Sequence, residues 1–146
     1  MAETKNKGYL TGKEIRAITK ANLKEMKRLE AYKNRKAEEY EFLSQMRNDQ
    51  NILEIEDLHT YFFTEQGVVK AVNGVSFDIP KNTTVGVVGE SGCGKSVTSM
   101  SVMRLIQGPT GQIFSGSIRF NAKLDNGQTK VYDIARMPMD DIHKIR

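Results

Sequence analysis

One cysteine, two histidines and no long apolar run set the first limits on this chain of 146 residues. With Cys93 alone, no internal disulfide can form and no thiolate cluster can grip a metal. His59 and His143 do not stand at ligand spacing from one another, which argues against metal-centred catalysis by His and Cys. No apolar stretch approaches the ~20 residues that cross a bilayer. The opening MAETKNKGYL also lacks the hydrophobic middle of a secretory signal. The chain is therefore expected to stay in the cytoplasm. Proline and glycine are both missing from Lys13 to Arg47, so nothing in that stretch breaks a helix. What remains is 38% hydrophobic residues, enough for one modest core.

Charge is placed unevenly. Residues 1–50 hold 12 Lys/Arg against 8 Asp/Glu, and residues 51–146 hold 10 of each, so the whole net charge of +4 sits in the first third. That asymmetry predicts two regions, a basic helical extension over 1–50, partly disordered, and a second unit over 51–146. Residues 1–10 read as a polar, disordered end. Thr11-Gly12-Lys13-Glu14 then has the spacing of a capping box, a hydroxyl three residues before a carboxylate. Apolar residues recur at helical intervals from Ile15 to Met46, with a break from Lys33 to Glu39, so one long or two shorter helices are expected, mostly solvated. Such a basic helix can be read as a contact for an anionic surface. Its interleaved Glu residues equally fit a solvated face, and it has no aromatic stripe on which bases could stack.

After Asn51 the period changes to strands. ILEIEDLHTYFF and VVKAVNGVSFDI flank Gly67 as an antiparallel pair, with Val75, Phe77 and Ile79 turned inward against Ser76 and Asp78. Pro80-Lys81-Asn82 ends the pair. Val85, Val87 and Val88 are continuously apolar, which predicts a strand covered on both faces inside a parallel sheet. A helix is expected from Lys95 to Gln107, stopped by Gly108-Pro109-Thr110-Gly111. GSIRFN reads as another strand, Asn126-Gly127 as a turn, and MPMDDIHKIR as the start of a further helix.

Between the valine run and the helix lies Gly89-Glu90-Ser91-Gly92-Cys93-Gly94-Lys95-Ser96, which fits G-x-x-x-x-G-K-[ST] at every fixed position. Glycines without Cβ atoms let successive backbone N–H groups converge on one anion, and the helix that follows adds its unpaired N–H groups and positive dipole end. Lys95 can neutralise β- and γ-phosphate oxygens, and the Ser96 hydroxyl is a hard oxygen ligand of the kind Mg²⁺ prefers. The bland alternative is a structural glycine turn. Cys93, in a loop at a helix N-terminus, is expected to react with alkylating reagents and, once alkylated, to block the cradle.

Through these residues, the chain resembles the ATP-binding subunits of ABC transporters, most closely those of oligopeptide and dipeptide importers. The resemblance runs from Ile52 to Arg146 through LEIEDLHTYF, GVVKAVNGVSFDI, VGVVGESGCGKSVTSMSVMRLI and GSIRFN. It departs at Cys93, where the family generally has serine, and at KNTT, where it generally has Gly-Glu. It implies an α/β P-loop NTPase, the N-terminal part of an ABC-type nucleotide-binding domain with an antiparallel β-subdomain. ATP and Mg²⁺ would be bound by residues 89–96, and an aromatic of the first strand, Phe62 or else Tyr61, would stack on adenine unless both only pack the sheet. The family's glutamine loop, signature, aliphatic-Asp-Glu strand and switch histidine would lie beyond Arg146. Partners would be transmembrane permease subunits and a second ATP-binding subunit, with no nucleic acid, placing the protein peripherally on the inner face of the cell membrane. Two other readings stay open, a soluble P-loop GTPase or kinase and a non-catalytic nucleotide-sensing interaction module.

Overall fold

The computed structural model describes residues 9–145, so the expected disorder of the first ten residues falls almost entirely outside the described part. The capping box forms. Thr11 Oγ1 accepts from the Glu14 N–H at 3.3 Å and Glu14 Oε2 accepts from the Thr11 N–H at 2.8 Å, starting helix α1, Gly12–Lys33. The helix stops where its apolar face runs out. Irregular chain and a single 3₁₀ turn, Glu39–Glu41, follow, so the shorter-helix reading of this region holds for its first part alone.

Four antiparallel strands make the sheet, β1 (Asn51–Thr64), β2 (Gly67–Pro80), β3 (Gly111–Lys123) and β4 (Thr129–Asp133), in the order β2-β1-β3-β4. The expected hairpin is present, with Thr64 paired to Gly67 at its turn and Ile55 to Phe77 along its length. The Asn126-Gly127 turn is present too, joining β3 to β4. β1 sits between two partners, which is why its β-branched and aromatic residues are the most buried of any strand. A bulge between Ile55 and His59 lets Asp57 adopt φ 47° and re-aims the chain beyond it.

The core lies on the sheet around Ile55, Leu58 and Ile118, each without exposed surface, and is completed by Val72, Phe42, Tyr132, Ile134, Met137 and Ile142. Phe42 and Tyr132 meet with ring centroids 5.9 Å apart, and the Tyr132 hydroxyl donates to Glu39 Oε1 at 2.7 Å. Burial, then that hydrogen bond, push the Tyr132 phenol up to about 12. Glu54 is fully buried as well. Burial by itself would raise its pKa, but the N–H groups of Arg47 and Asn48 and the Asn51 amide, all within 3.0 Å, outweigh burial and hold it at about 2. Through Glu54, the 47–51 connection is clamped onto β1.

Helix α1 packs on the sheet through buried Leu29 and Asn22, the Asn22 amide donating to Thr64 O at the hairpin end at 2.8 Å. Gln112 of β3 reaches Glu30 of α1 at 2.6 Å. Helix α2, Lys95–Val102, lies against β1 and β2, and α3, Met139–Ile142, is a single turn.

Two expectations are corrected. The run Val85–Val88 forms no strand. A strand exists only by pairing, no described residue offers this segment a ladder, and its side chains are exposed, Val88 to 92%. Helix α2 ends at Val102 instead of Gln107. The cause is a C-terminal wrap in which Arg104 takes φ 56°, its N–H bonds Ser101 O and the Leu105 N–H bonds Met100 O, closing the helix five residues before the expected stop. An arginine tolerates this left-handed position because its guanidinium, 8% exposed at residue level, donates to the carbonyls of Ala135 at 3.3 Å and Met137 at 3.0 Å.

Candidate functional site

The glycine loop runs from Gly89 into the first turn of α2 and is open to solvent up to Cys93. Gly92 and Gly94 have φ 81° and 93°, the left-handed region that glycine alone enters without strain. Gly94 is held tightly. A Cβ there would collide with the Ala71 carbonyl oxygen and approach Val72 of β2 at 3.8 Å, so the loop rests directly on a sheet strand. Gly89 faces inward across the loop, where a Cβ would lie 2.7 Å from Cys93 Sγ.

Lys95 closes the loop. Its ammonium donates to Gly89 O at 2.7 Å and Glu90 O at 2.5 Å and stands 3.5 Å from Cys93 Sγ. The charge therefore lies over the loop mouth. The start of α2 is anchored by the Thr98 N–H and hydroxyl, which both donate to Gly94 O, at 2.8 and 2.9 Å. Ser96 is exposed beside these groups. Glycines at the close approaches, a cation at the rim and a free hydroxyl at the helix start form a donor set that suits a magnesium-bound polyphosphate, and the space a Cβ would fill at Gly89 and Gly94 is the space the backbone needs.

The structure brings residues 89–96 together and separates the two aromatics. Thr60, Tyr61 and Phe62 pair in unbroken register with Ile113, Gln112 and Gly111, so their side chains alternate between faces. Thr60 lies on the face that receives α2, where its hydroxyl meets Ser101 Oγ at 2.7 Å. Phe62 shares that face and is half-buried. Tyr61 is on the other face, its ring stacked on Phe114 at 4.8 Å and its hydroxyl bonded to Asn73 Oδ1 at 3.0 Å. Sequence reasoning missed the supports behind the loop, the Ala71–Val72 bearing, the Thr60–Ser101 bond and the Arg104 anchor. The small residue at each site of contact was the only signal, and for Arg104 there was none.

Residues 72–137 match the ABC transporter family. Over 95 residues, 65% of this chain, the sequence is 43% identical to the oligopeptide transport ATP-binding protein AppD of Bacillus subtilis, covering 26% of that protein. It is 47% identical over 74 residues to the dipeptide transport ATP-binding protein DppD of the same organism, 51% of this chain and 22% of the relative. The oligopeptide transport ATP-binding protein OppF, also of B. subtilis, is 38% identical over 118 residues, with 66% of this chain and 38% of the relative covered. The chain thus spans between about a fifth and two fifths of the length of these relatives. The glycine loop thus lies inside the match to the ABC transporter family's P-loop NTPase domain, an α/β fold, and the relatives that the chain resembles are ATP-binding proteins of peptide transport.

Proposed function

We propose that residues 89–96 bind the triphosphate of ATP and that, in the complete protein, its hydrolysis powers import of peptides or a related solute. The N–H groups from Gly89 to Lys95 receive phosphate oxygens, Lys95 exchanges its loop carbonyls for the β- and γ-phosphates, and Ser96 supplies an oxygen to Mg²⁺. Bound Mg²⁺ would neutralise charge that develops on the phosphates. Glu90, Ser91 and Cys93 contribute backbone and small side chains to the cradle. Phe62 supplies the adenine contact, since it shares a face with the helix side of the loop while the Tyr61 ring and hydroxyl are engaged within the fold.

The observation that carries this reading is Gly94, left-handed at φ 93° and pressed on the Ala71 carbonyl immediately before Lys95 begins a helix. Residues 1–50, helical over Gly12–Lys33, are read as a basic extension and 51–146 as the N-terminal part of an ATP-binding domain. Partners would be membrane permease subunits and a second ATP-binding subunit, with the protein on the cytoplasmic face; no helix of the described residues is long and apolar enough to cross a membrane. The test is calorimetric titration of Mg-ATP into the protein and its Lys95→Ala variant. Affinity should fall at least tenfold, as for a lost charge-assisted hydrogen bond, and unchanged affinity would overturn the assignment.

A further inference from the structure

The outward face of α1 carries Lys13, Arg16, Lys20, Lys24 and Lys27, all exposed, and no carboxylate. The three acids of the helix are engaged elsewhere. Glu14 closes the capping box, Glu25 pairs with Arg28 at 2.6 Å, and Glu30 turns to Gln112. Among the described residues, none of the five outward cations forms an ion pair. Along one flank of this row runs a shallow apolar furrow containing Ile15 and Leu23, the latter 47% exposed, and Tyr9 and Leu10 stand 96% and 42% exposed just before the first turn.

We propose that this face docks on an anionic lipid surface. Five like charges along roughly 20 Å of one helix face repel one another, and a continuous plane of negative headgroups relieves that repulsion along the whole length. The apolar residues fit the same occupant. Leu23 borders the cationic row beside Lys20 and Lys27, and Tyr9, a ring with a polar tip, suits the level of the headgroups. Nucleic acid fits less well, because no aromatic sits among the cations for a base to stack on. The opposite side of the helix, with Asn22 and Leu29, is already committed to the sheet, so the orientation is fixed and the domain is held beside the membrane by its first helix. The proposal shares with the proposed function only the membrane setting.

The experiment is co-sedimentation of the full chain with vesicles of phosphatidylcholine alone and of phosphatidylcholine mixed with phosphatidylglycerol, with Mg-ATP affinity measured on the same samples. The expected result is binding to the mixed vesicles only, released at roughly molar salt, where the Debye length falls to ~3 Å. Replacing Arg16, Lys20, Lys24 and Lys27 by Gln should lower the partition coefficient roughly fivefold per residue, about six hundredfold in all, with Mg-ATP affinity unchanged. The salt arm needs no variant and decides even if the fourfold variant fails to fold. Equal binding to both vesicles, no binding to either, retention at molar salt, or stronger retention by duplex DNA or polyglutamate at the same salt would each overturn the proposal. Loss of Mg-ATP binding in protein that still binds vesicles would instead overturn the functional reading alone.

Discussion

Thr60 of β1 and Ser101 of α2 meet through their hydroxyls at 2.7 Å, both with no exposed surface. Because Ser101 donates to Val97 O at 2.7 Å, its single proton is used and Thr60 is the donor in the pair. This buried bond ties the sheet to the helix that carries the glycine loop.

Removing either hydroxyl tests the tie. Ser101→Ala leaves the Thr60 hydroxyl buried without its acceptor and should cost about 2 kcal/mol, and Thr60→Val should cost about 1 kcal/mol because Ser101 keeps its bond to Val97. A double-mutant cycle by urea denaturation checks the coupling, and strictly additive losses would refute it.

Two glycines of the loop should respond differently to alanine. Both have positive φ, but a Cβ at Gly92 meets nothing within 4 Å while one at Gly94 runs into the Ala71 carbonyl. Gly92→Ala should therefore carry only backbone strain of about 1 kcal/mol, whereas Gly94→Ala must displace the loop from β2. The expected readout is a far larger loss of Mg-ATP affinity for Gly94→Ala, measured by titration calorimetry.

Arg104 combines strain and anchoring in one residue. Arg104→Ala keeps the left-handed backbone and loses both carbonyl partners, for an expected loss of about 3 kcal/mol in chemical denaturation. Arg104→Gly removes the strain as well as the anchor and should recover about 1 kcal/mol of that. Equal stability of the two variants would show that the φ of 56° costs nothing.

Acid should weaken the clamp at Glu54. Its carboxyl titrates at about 2 in the fold and near 4.5 when free, so its contribution is complete above about pH 4.5 and fades as pH falls toward 2. The unfolded chain takes up the proton first, which is why stability drops on acidification. With its partner Arg47 half-exposed, the contribution is about 2 kcal/mol. Glu54→Gln should remove that much at neutral pH and flatten the acid limb of a stability profile followed by circular dichroism.

Patterns that are satisfied locally were legible in the chain. The capping box needs only Thr11 and Glu14, the β1–β2 hairpin needs two strand-forming runs about a glycine, and the loop needs its glycines and lysine at fixed spacing. Where a feature depends on a distant partner, the reading failed. Val85–Val88 has the apolarity of a covered strand and, without a ladder, forms none among the described residues. The end of α2 was placed by Gly108-Pro109 in the sequence and by Arg104 in the fold, because the carbonyls that hold Arg104 come from a segment 31 to 33 residues further along.

The sequence alone determined which groups the loop carries, since its glycines and the lysine ammonium follow from residue type and spacing within eight positions. Only the tertiary structure decided which first-strand aromatic shares a face with the loop's helix, and which side of α1 keeps its cations unpaired. Both depend on register and packing, where one residue of slip along a strand, or 100° of rotation about a helix, exchanges the buried side for the exposed one.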